Sequence, residues 1–221
     1  MGETKAPVAK QRVRRTQLER TAESDKRMLD AAMQLVHERG IHGTTLKEVG
    51  ELAGYSRGLA NFRFGSKEGL FSAMLTQYNQ RWKQEANEFI GDRRGLEAFK
   101  GALHAVSHFV ETEAQFMRSM HILYYETLAS SELIQRRLAE QHQAYRKDIA
   151  SMIEQGIADG VIRKNISADQ IAVQFCSFVF GIVYQWLVSP DIDVKRATED
   201  YSAAMCELLT NDKKGVKSKR N

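Results

Sequence analysis

Proline is almost missing from this chain of 221 residues, with Pro7 and Pro190 the only two. Nearly everything between them is therefore free to be helical, because no ring removes an amide or locks φ. Cysteine is equally scarce: Cys176 and Cys206 stand alone. Two thiols make no disulfide framework and suit a reducing compartment, and their apolar neighbourhoods favour two inert thiols over a redox pair. The N-terminus lacks the apolar stretch of a signal peptide. A membrane-spanning helix needs about 20 apolar residues with few polar interruptions. The most apolar stretch here, 171–188, contains Gln174, Ser177 and Gln185 and reads as a buried or interface helix. No alternating Val/Ile/Thr run bounded by turns suggests a strand. The expectation is an all-α protein of the cytoplasm, without a membrane span. Catalytic signatures are lacking too: there is no G-x-S-x-G, P-loop, dinucleotide fingerprint or H-E-x-x-H. Neither an enzyme nor a cofactor is expected.

Charge is present but unevenly spread. The net charge is +4. Residues 1–22 carry six Lys/Arg against two acids, 211–221 five against one, and the body from 68 to 210 has 14 basic and 19 acidic residues. A negative body with basic ends suits a protein that touches DNA at one end and stays soluble elsewhere. The tail at 211–221 reads as disordered and solubilising. The arm at 1–22, with Lys10, Arg12, Arg14, Arg15 and Arg20, leads straight into the motif below, as minor-groove arms do.

That motif is TTLKEVGELAGYSRGLANFRFGSKEGL, residues 44–70. Thr45 and Glu48 form a T-x-x-E capping box, in which the carboxylate is expected to reach back to the cap amide. Leu46, Val49 and Leu52-Ala53 give the first short helix its apolar side. Gly54 marks the reversal, Ser56 caps a second short helix, and Gly65-Ser66 open a third, long one. Two short helices around a glycine turn are a helix-turn-helix, whose second helix can enter the DNA major groove. Thr45 and Lys67 are placed for phosphate. Arg57 and Arg63 can each grip a guanine edge or only a phosphate. Leu59 and Ala60 can touch a thymine methyl, and Gly58 permits close backbone approach. Phe62 is either a groove-side aromatic or part of the small core.

Helices are expected at about 24–39, 46–53, 57–63, 67–90, 96–112, 115–129, 131–159, 168–188 and 194–209. Ser167 and Gln170 make another capping box, with Ile166 and Ile171 as a staple. The organisation that follows is an arm (1–22), a helix-turn-helix domain (23–70), a helical body (71–210) and a tail (211–221).

The stretch 27–32 (RMLDAA), Gly40, Thr44-Thr45, Ala53-Gly54, Ser56-Arg57-Gly58 and 64–70 (FGSKEGL) resemble the N-terminal domain of TetR-type transcriptional repressors. The resemblance covers roughly residues 24–72, and beyond them only helical layout and a loose segment at 181–187. Asn61 stands where most members have Tyr, and Arg63 where many have His. The resemblance implies a homodimeric, ligand-responsive repressor on a double-stranded, pseudo-palindromic DNA operator, with 71–210 as its effector-binding and dimerisation domain. The expected DNA-facing set is Thr44, Thr45, Tyr55, Ser56, Arg57, Gly58, Leu59, Asn61, Phe62, Arg63 and Lys67. A small-molecule effector, largely apolar, is expected among His104, Phe109, Phe116, Met117, Met120, Tyr124, Tyr125, Tyr145 and Met152, though a Met and aromatic stripe is equally the mark of plain core. Phe175, Phe178, Val179, Ile182, Trp186, Met205 and Leu208 are the expected dimer face, some of them intramolecular core.

Two other readings stand beside this one. A non-specific DNA-compacting protein would have the same basic ends. His104, His108 and Glu111 share one helix face at ligand spacing, with His121 or His142 able to complete a metal site and hence a metal-dependent helical enzyme.

Overall fold

The computed structural model describes residues 16–128 and 132–210. Among them the chain forms nine helices and no strand: α1 (Gln17–Arg39), α2 (Leu46–Leu52), α3 (Arg57–Phe64), α4 (Lys67–Ile90), α5 (Gly95–Thr112), α6 (Ala114–Thr127), α7 (Glu132–Ala158), α8 (Ala168–Val188) and α9 (Val194–Thr210).

The first helix begins a full two turns before the expected start. Thr16 and Glu19 are a capping box: the Glu19 amide donates to the Thr16 hydroxyl at 3.2 Å, and the Thr16 amide donates to the Glu19 carboxylate at 2.8 Å. The end of the basic arm, Arg20 included, is thus helix, while Lys10, Arg12, Arg14, Arg15 and the tail 211–221 lie outside the described residues. Ser24, near the expected start, is an interior residue whose hydroxyl donates to the Thr21 carbonyl.

Met28, Ala32, Leu35 and Val36 of α1 meet Val49, Ala60, Leu70 and Met74 in a core that continues without a break into Phe109, Phe116, Met120 and Val183. The expected division at 70/71 falls inside α4, so head and body share both a helix and a core. A second core holds Phe99, Leu103, Ile153, Ile162, Phe175, Met205 and Leu209 at the far end. Leu and Phe side chains buried in this way each contribute about 1.5–3 kcal/mol against the entropy of ordering the chain.

Three side-chain links tie the head to the body. The Ser119 hydroxyl donates to the Met33 carbonyl at 3.1 Å, and the Ile41 amide donates to the Glu126 carboxylate at 2.8 Å. Arg81 of α4 pairs with Asp30 of α1 at 3.5 Å and with Glu113 at 3.2 Å, lying over the Phe116 ring at 4.3 Å.

Candidate functional site

The head is built around Gly54, whose φ of +79° only glycine adopts without a Cβ penalty. The turn is tight: a Cβ at Gly50 would sit 2.9 Å from the Ser56 carbonyl. Ser56 then caps α3 by accepting from the Leu59 amide at 3.1 Å. Ser56, Arg57, Gly58, Asn61 and Phe62 face solvent, and Phe62 is 80% exposed, so it belongs to the surface and not to the small core. Arg57 makes no ion pair among the described residues and its guanidinium is available. Tyr55 and Leu59 are half-buried against the head's core.

Several expected DNA-facing residues sit elsewhere. Arg63 turns back onto α1, 3.2 Å from the Asp25 carboxylate and donating to the Thr21 hydroxyl at 3.1 Å. Thr44 is 0% exposed, and its hydroxyl donates to the Gly40 carbonyl at 2.9 Å, closing α1. Ala60 is fully buried and cannot reach a thymine methyl. The Glu48 carboxylate takes the Thr45 hydroxyl at 2.8 Å and Arg39 at 3.0 Å in place of the cap amide. The Thr45 bond, with Arg39 beside it, holds that carboxyl below its ordinary range. Thr45 itself stays exposed. The Lys67 ammonium donates to the His42 carbonyl at 3.3 Å at the start of α4.

In the body, α4 to α8 enclose a cavity of about 630 Å³. Of the expected effector residues, Phe109, Met117, Tyr145 and Met152 line it. Phe116, Met120 and Tyr124 are buried in the core beside it, Phe116 stacked on Tyr78 at 5.7 Å. Tyr124 and Tyr125 open instead onto a second recess shared with His142 and Phe180. His104 lies on the solvent side of α5, opposite Leu103 and Val106. Tyr78, Asn79 and Trp82 of α4 were missed, although Tyr78, Trp82, Ala86 and Ile90 repeat every four residues in the sequence and all line the wall. Val179 and Phe175, assigned to a dimer face, also line it.

The wall is largely apolar, with Asn87, His121, Ser151 and Gln155 among its polar members, and it carries one hydrogen-bonded ladder. Gln141 donates to the hydroxyls of Tyr145 and Tyr124, and the Tyr145 hydroxyl donates to Asn79 Oδ1 at 2.7 Å. Burial pushes the Tyr124 and Tyr145 phenols far up, so both are neutral. His121 is buried, donates from Nδ1 to the Met117 carbonyl at 2.9 Å, and is kept neutral because burial lowers its pKa. Lys83, Arg93 and Asp148 stand at the rim, where burial raises the Asp148 carboxyl's pKa and Lys83 opposes the shift.

The metal reading loses its constellation. His108 bonds Glu85 and packs on Phe89 at 5.0 Å, His104 points away, and among the described residues no three His, Cys, Asp or Glu come together to hold an ion.

Most residues of the expected dimer face pack within the chain. Phe175 and Met205 are core, Phe178 stacks on Tyr201 at 3.9 Å, and Ile182 and Trp186 pack against the first core, Trp186 under Arg118 at 4.8 Å. What faces out is a line four or three residues apart, Val173, Ser177, Gly181, Tyr184 and Val188, with Leu208 of α9. Among the described residues α8 is the one helix long and apolar enough to cross a membrane, and only 22% of its most apolar 18-residue window is buried. Cys176 and Cys206 are free, half-buried thiols whose pKa burial raises.

Comparison with known proteins places both halves. The profile "Bacterial regulatory proteins, tetR family" matches residues 28–74, and "MAATS-type transcriptional repressor, C-terminal region" matches 95–211. The chain is 26% identical over 183 residues to the HTH-type transcriptional regulator TtgR of Pseudomonas putida, covering 81% of this chain and 87% of that one. It is 26% identical over 195 residues to the regulator AcrR of Shigella flexneri, covering 84% and 89%. Its fold is similar to NalD, the secondary repressor of the MexAB-OprM multidrug efflux pump in Pseudomonas aeruginosa, at TM-score 0.69 and 21% identity over 88% of this chain and 99% of that one. A SmeT–triclosan complex superimposes at TM-score 0.70 and 21% identity, over 86% and 93%.

Proposed function

The chain belongs to the TetR family and is a DNA-binding transcriptional regulator of the ligand-responsive repressor type; on that premise we propose a homodimer that grips a pseudo-palindromic operator and releases it when a neutral, largely apolar molecule fills the cavity. The observation that carries this reading is the continuity of α4. One helix of 24 residues, about 36 Å long, has Lys67 beside α3 at one end and Tyr78, Asn79 and Trp82 in the cavity wall further along. A ligand that displaces those wall residues acts on the head without any intervening hinge. DNA release is then a shift of population between two dimer forms, with no chemical step.

Base reading falls to Arg57, with Gly58, Asn61 and Phe62 beside it, and Ser56, Thr45 and Lys67 hold phosphate. One α3 covers only a few base pairs, so two copies, about one DNA turn apart, are needed for specificity. The line Val173–Ser177–Gly181–Tyr184–Val188 supports a second copy of this chain as the cover of α8: it is continuous, little buried and largely apolar, with the Ser177 hydroxyl in it and Gln174 and Gln185 exposed beside it, which suits an isologous helix interface. Work on operator DNA puts the protein in the cytoplasm. Relatives that regulate multidrug efflux pumps support an effector of the apolar kind.

The test is selection of bound sequences from a random DNA pool at physiological salt, with sedimentation of the purified protein. A recovered pseudo-palindrome and a dimeric mass are expected. Binding that selects no motif and fades as salt rises would replace this reading with non-specific DNA binding.

A further inference from the structure

The ladder in the cavity wall runs one way. Gln141 can donate only through its amide nitrogen, and it does so to the Tyr145 hydroxyl. That hydroxyl therefore spends its own hydrogen on Asn79 Oδ1, 2.7 Å away. A carboxamide whose oxygen is held in this way turns its NH₂ to the opposite side. Among the described residues Asn79 Nδ2 has no acceptor, and it is not an enclosed orphan: Asn79 is half-buried and forms part of the cavity wall. The ladder thus ends on an open donor.

Around this donor the wall offers Trp82, Phe109, Met117, Val179 and Phe180, while the charged side chains stay at the rim. A charged group carried inward past Lys83, Arg93 and Asp148 would lose its hydration and find no charge on Trp82, Phe109, Met117, Val179 or Phe180 to offset the loss. An uncharged molecule whose oxygen accepts from Asn79 loses little.

We propose that Gln141 and Tyr145 orient Asn79 as a hydrogen-bond donor to the effector, which selects uncharged molecules with an apolar body and an acceptor oxygen of the ketone, ester or ether kind. This rests on the cavity being the effector site. Asn79 is then the specificity-determining residue, and Tyr145 is a positioning residue that acts through it.

Three probes of matched shape test the proposal by calorimetry on the full chain: benzophenone, diphenylmethane, which lacks the carbonyl, and 4-benzoylbenzoate, which adds a charge. Benzophenone is expected to bind about tenfold more tightly than either of the others, the fold-change of one net hydrogen bond to a buried partner. Asn79→Leu and Tyr145→Phe are each expected to bring benzophenone and diphenylmethane to within about threefold of one another, with diphenylmethane affinity retained as the sign of an intact cavity. Where a variant fails to bind diphenylmethane, the wild-type comparison alone decides. Equal binding of benzophenone and diphenylmethane by the wild type, or tightest binding of the anion, overturns the donor and leaves the effector cavity standing. Binding of none of the three, with no release of operator DNA, removes the cavity reading and the proposal together.

Discussion

The carboxylate of Glu126, on α6, accepts the backbone N–H of Ile41 at 2.8 Å although 85 residues separate the two in sequence. A Cβ on Gly40 would come within 2.7 Å of the same carboxylate, so the glycine leaves room for it. Met117 and His121, on the same α6, form part of the cavity wall. A helix of the cavity wall is therefore seated at the end of α1, in the head. Replacing Glu126 by Ala leaves a part-buried amide without its acceptor, which should cost about 1–2 kcal/mol of stability in thermal melts. The concentration of a cavity ligand that releases DNA should rise several-fold, and Glu126→Gln, which keeps an acceptor oxygen, should restore both. A normal ligand response in a stable Glu126→Ala protein would take this contact out of the signal path.

The two arginines of α3 should separate cleanly. Arg57→Ala is expected to relax preference at one base position in each half-site, worth about 1–3 kcal/mol of discrimination. Arg63→Ala should leave the selected motif unchanged and lower stability by about 0.5–1 kcal/mol, because its partner Asp25 is on α1 and both side chains are partly exposed. Repeating the selection with each variant decides it: a motif altered by Arg63→Ala would return that residue to the DNA.

Lys67 sits at the N-terminus of α4 with its ammonium on the His42 carbonyl. Lys67→Ala should weaken binding to every sequence alike and reduce the slope of log K against log salt by about one. An unchanged slope would make Lys67 a purely structural tie between α4 and the α1–α2 turn.

Gly181 is in the interior of α8, where a Cβ would meet nothing in its own protomer. Glycine there costs the helix about 1 kcal/mol relative to alanine, so the isolated chain gains nothing from it. Under the proposed pairing, close approach of a second α8 accounts for it. Gly181→Leu should therefore move sedimentation toward the monomer, raising the dissociation constant at least about tenfold, with helix content kept. A Gly181→Leu protein that sediments as wild type would place the interface elsewhere.

His121 and His142 both have pKa values lowered by burial, against an ordinary value of 6.5. As pH falls through that value the unfolded chain takes up protons that the folded chain refuses, so stability is lost from about 6.5 downward and is full above it. Melting temperature should fall between pH 7.5 and 5.5, with a shallower fall in His142→Phe. A flat profile would mean that neither ring stays neutral in the fold.

The helices were legible because proline scarcity, caps and glycine stops act locally, and each is readable within four residues. The start of α1 lies two turns before its expected place because Thr16-x-x-Glu19 caps it, a pattern as legible in the sequence as Thr45-x-x-Glu48. Site residues were harder, since they depend on helix phase. Phe175 and Val173 are two apart on α8 and share composition, yet one is core and the other faces out. Arg57 and Arg63 are alike in sequence terms, and only the meeting of α3 with α1 brings Asp25 to one of them. The four-residue repeat Tyr78, Trp82, Ala86, Ile90 is the sequence signal that marks α4 as cavity wall, and all four residues line it.

The chain has two tryptophans. Trp82 lines the cavity, and Trp186 lies under Arg118 on α8, flanked by Tyr184 and Val188 of the outward line. Under the proposed function each stands beside a different event, so the protein carries its own pair of optical reporters. In a Trp186→Phe background the remaining emission follows occupancy, and in a Trp82→Phe background it follows assembly, which allows ligand entry and pairing to be timed separately in one cuvette without a label.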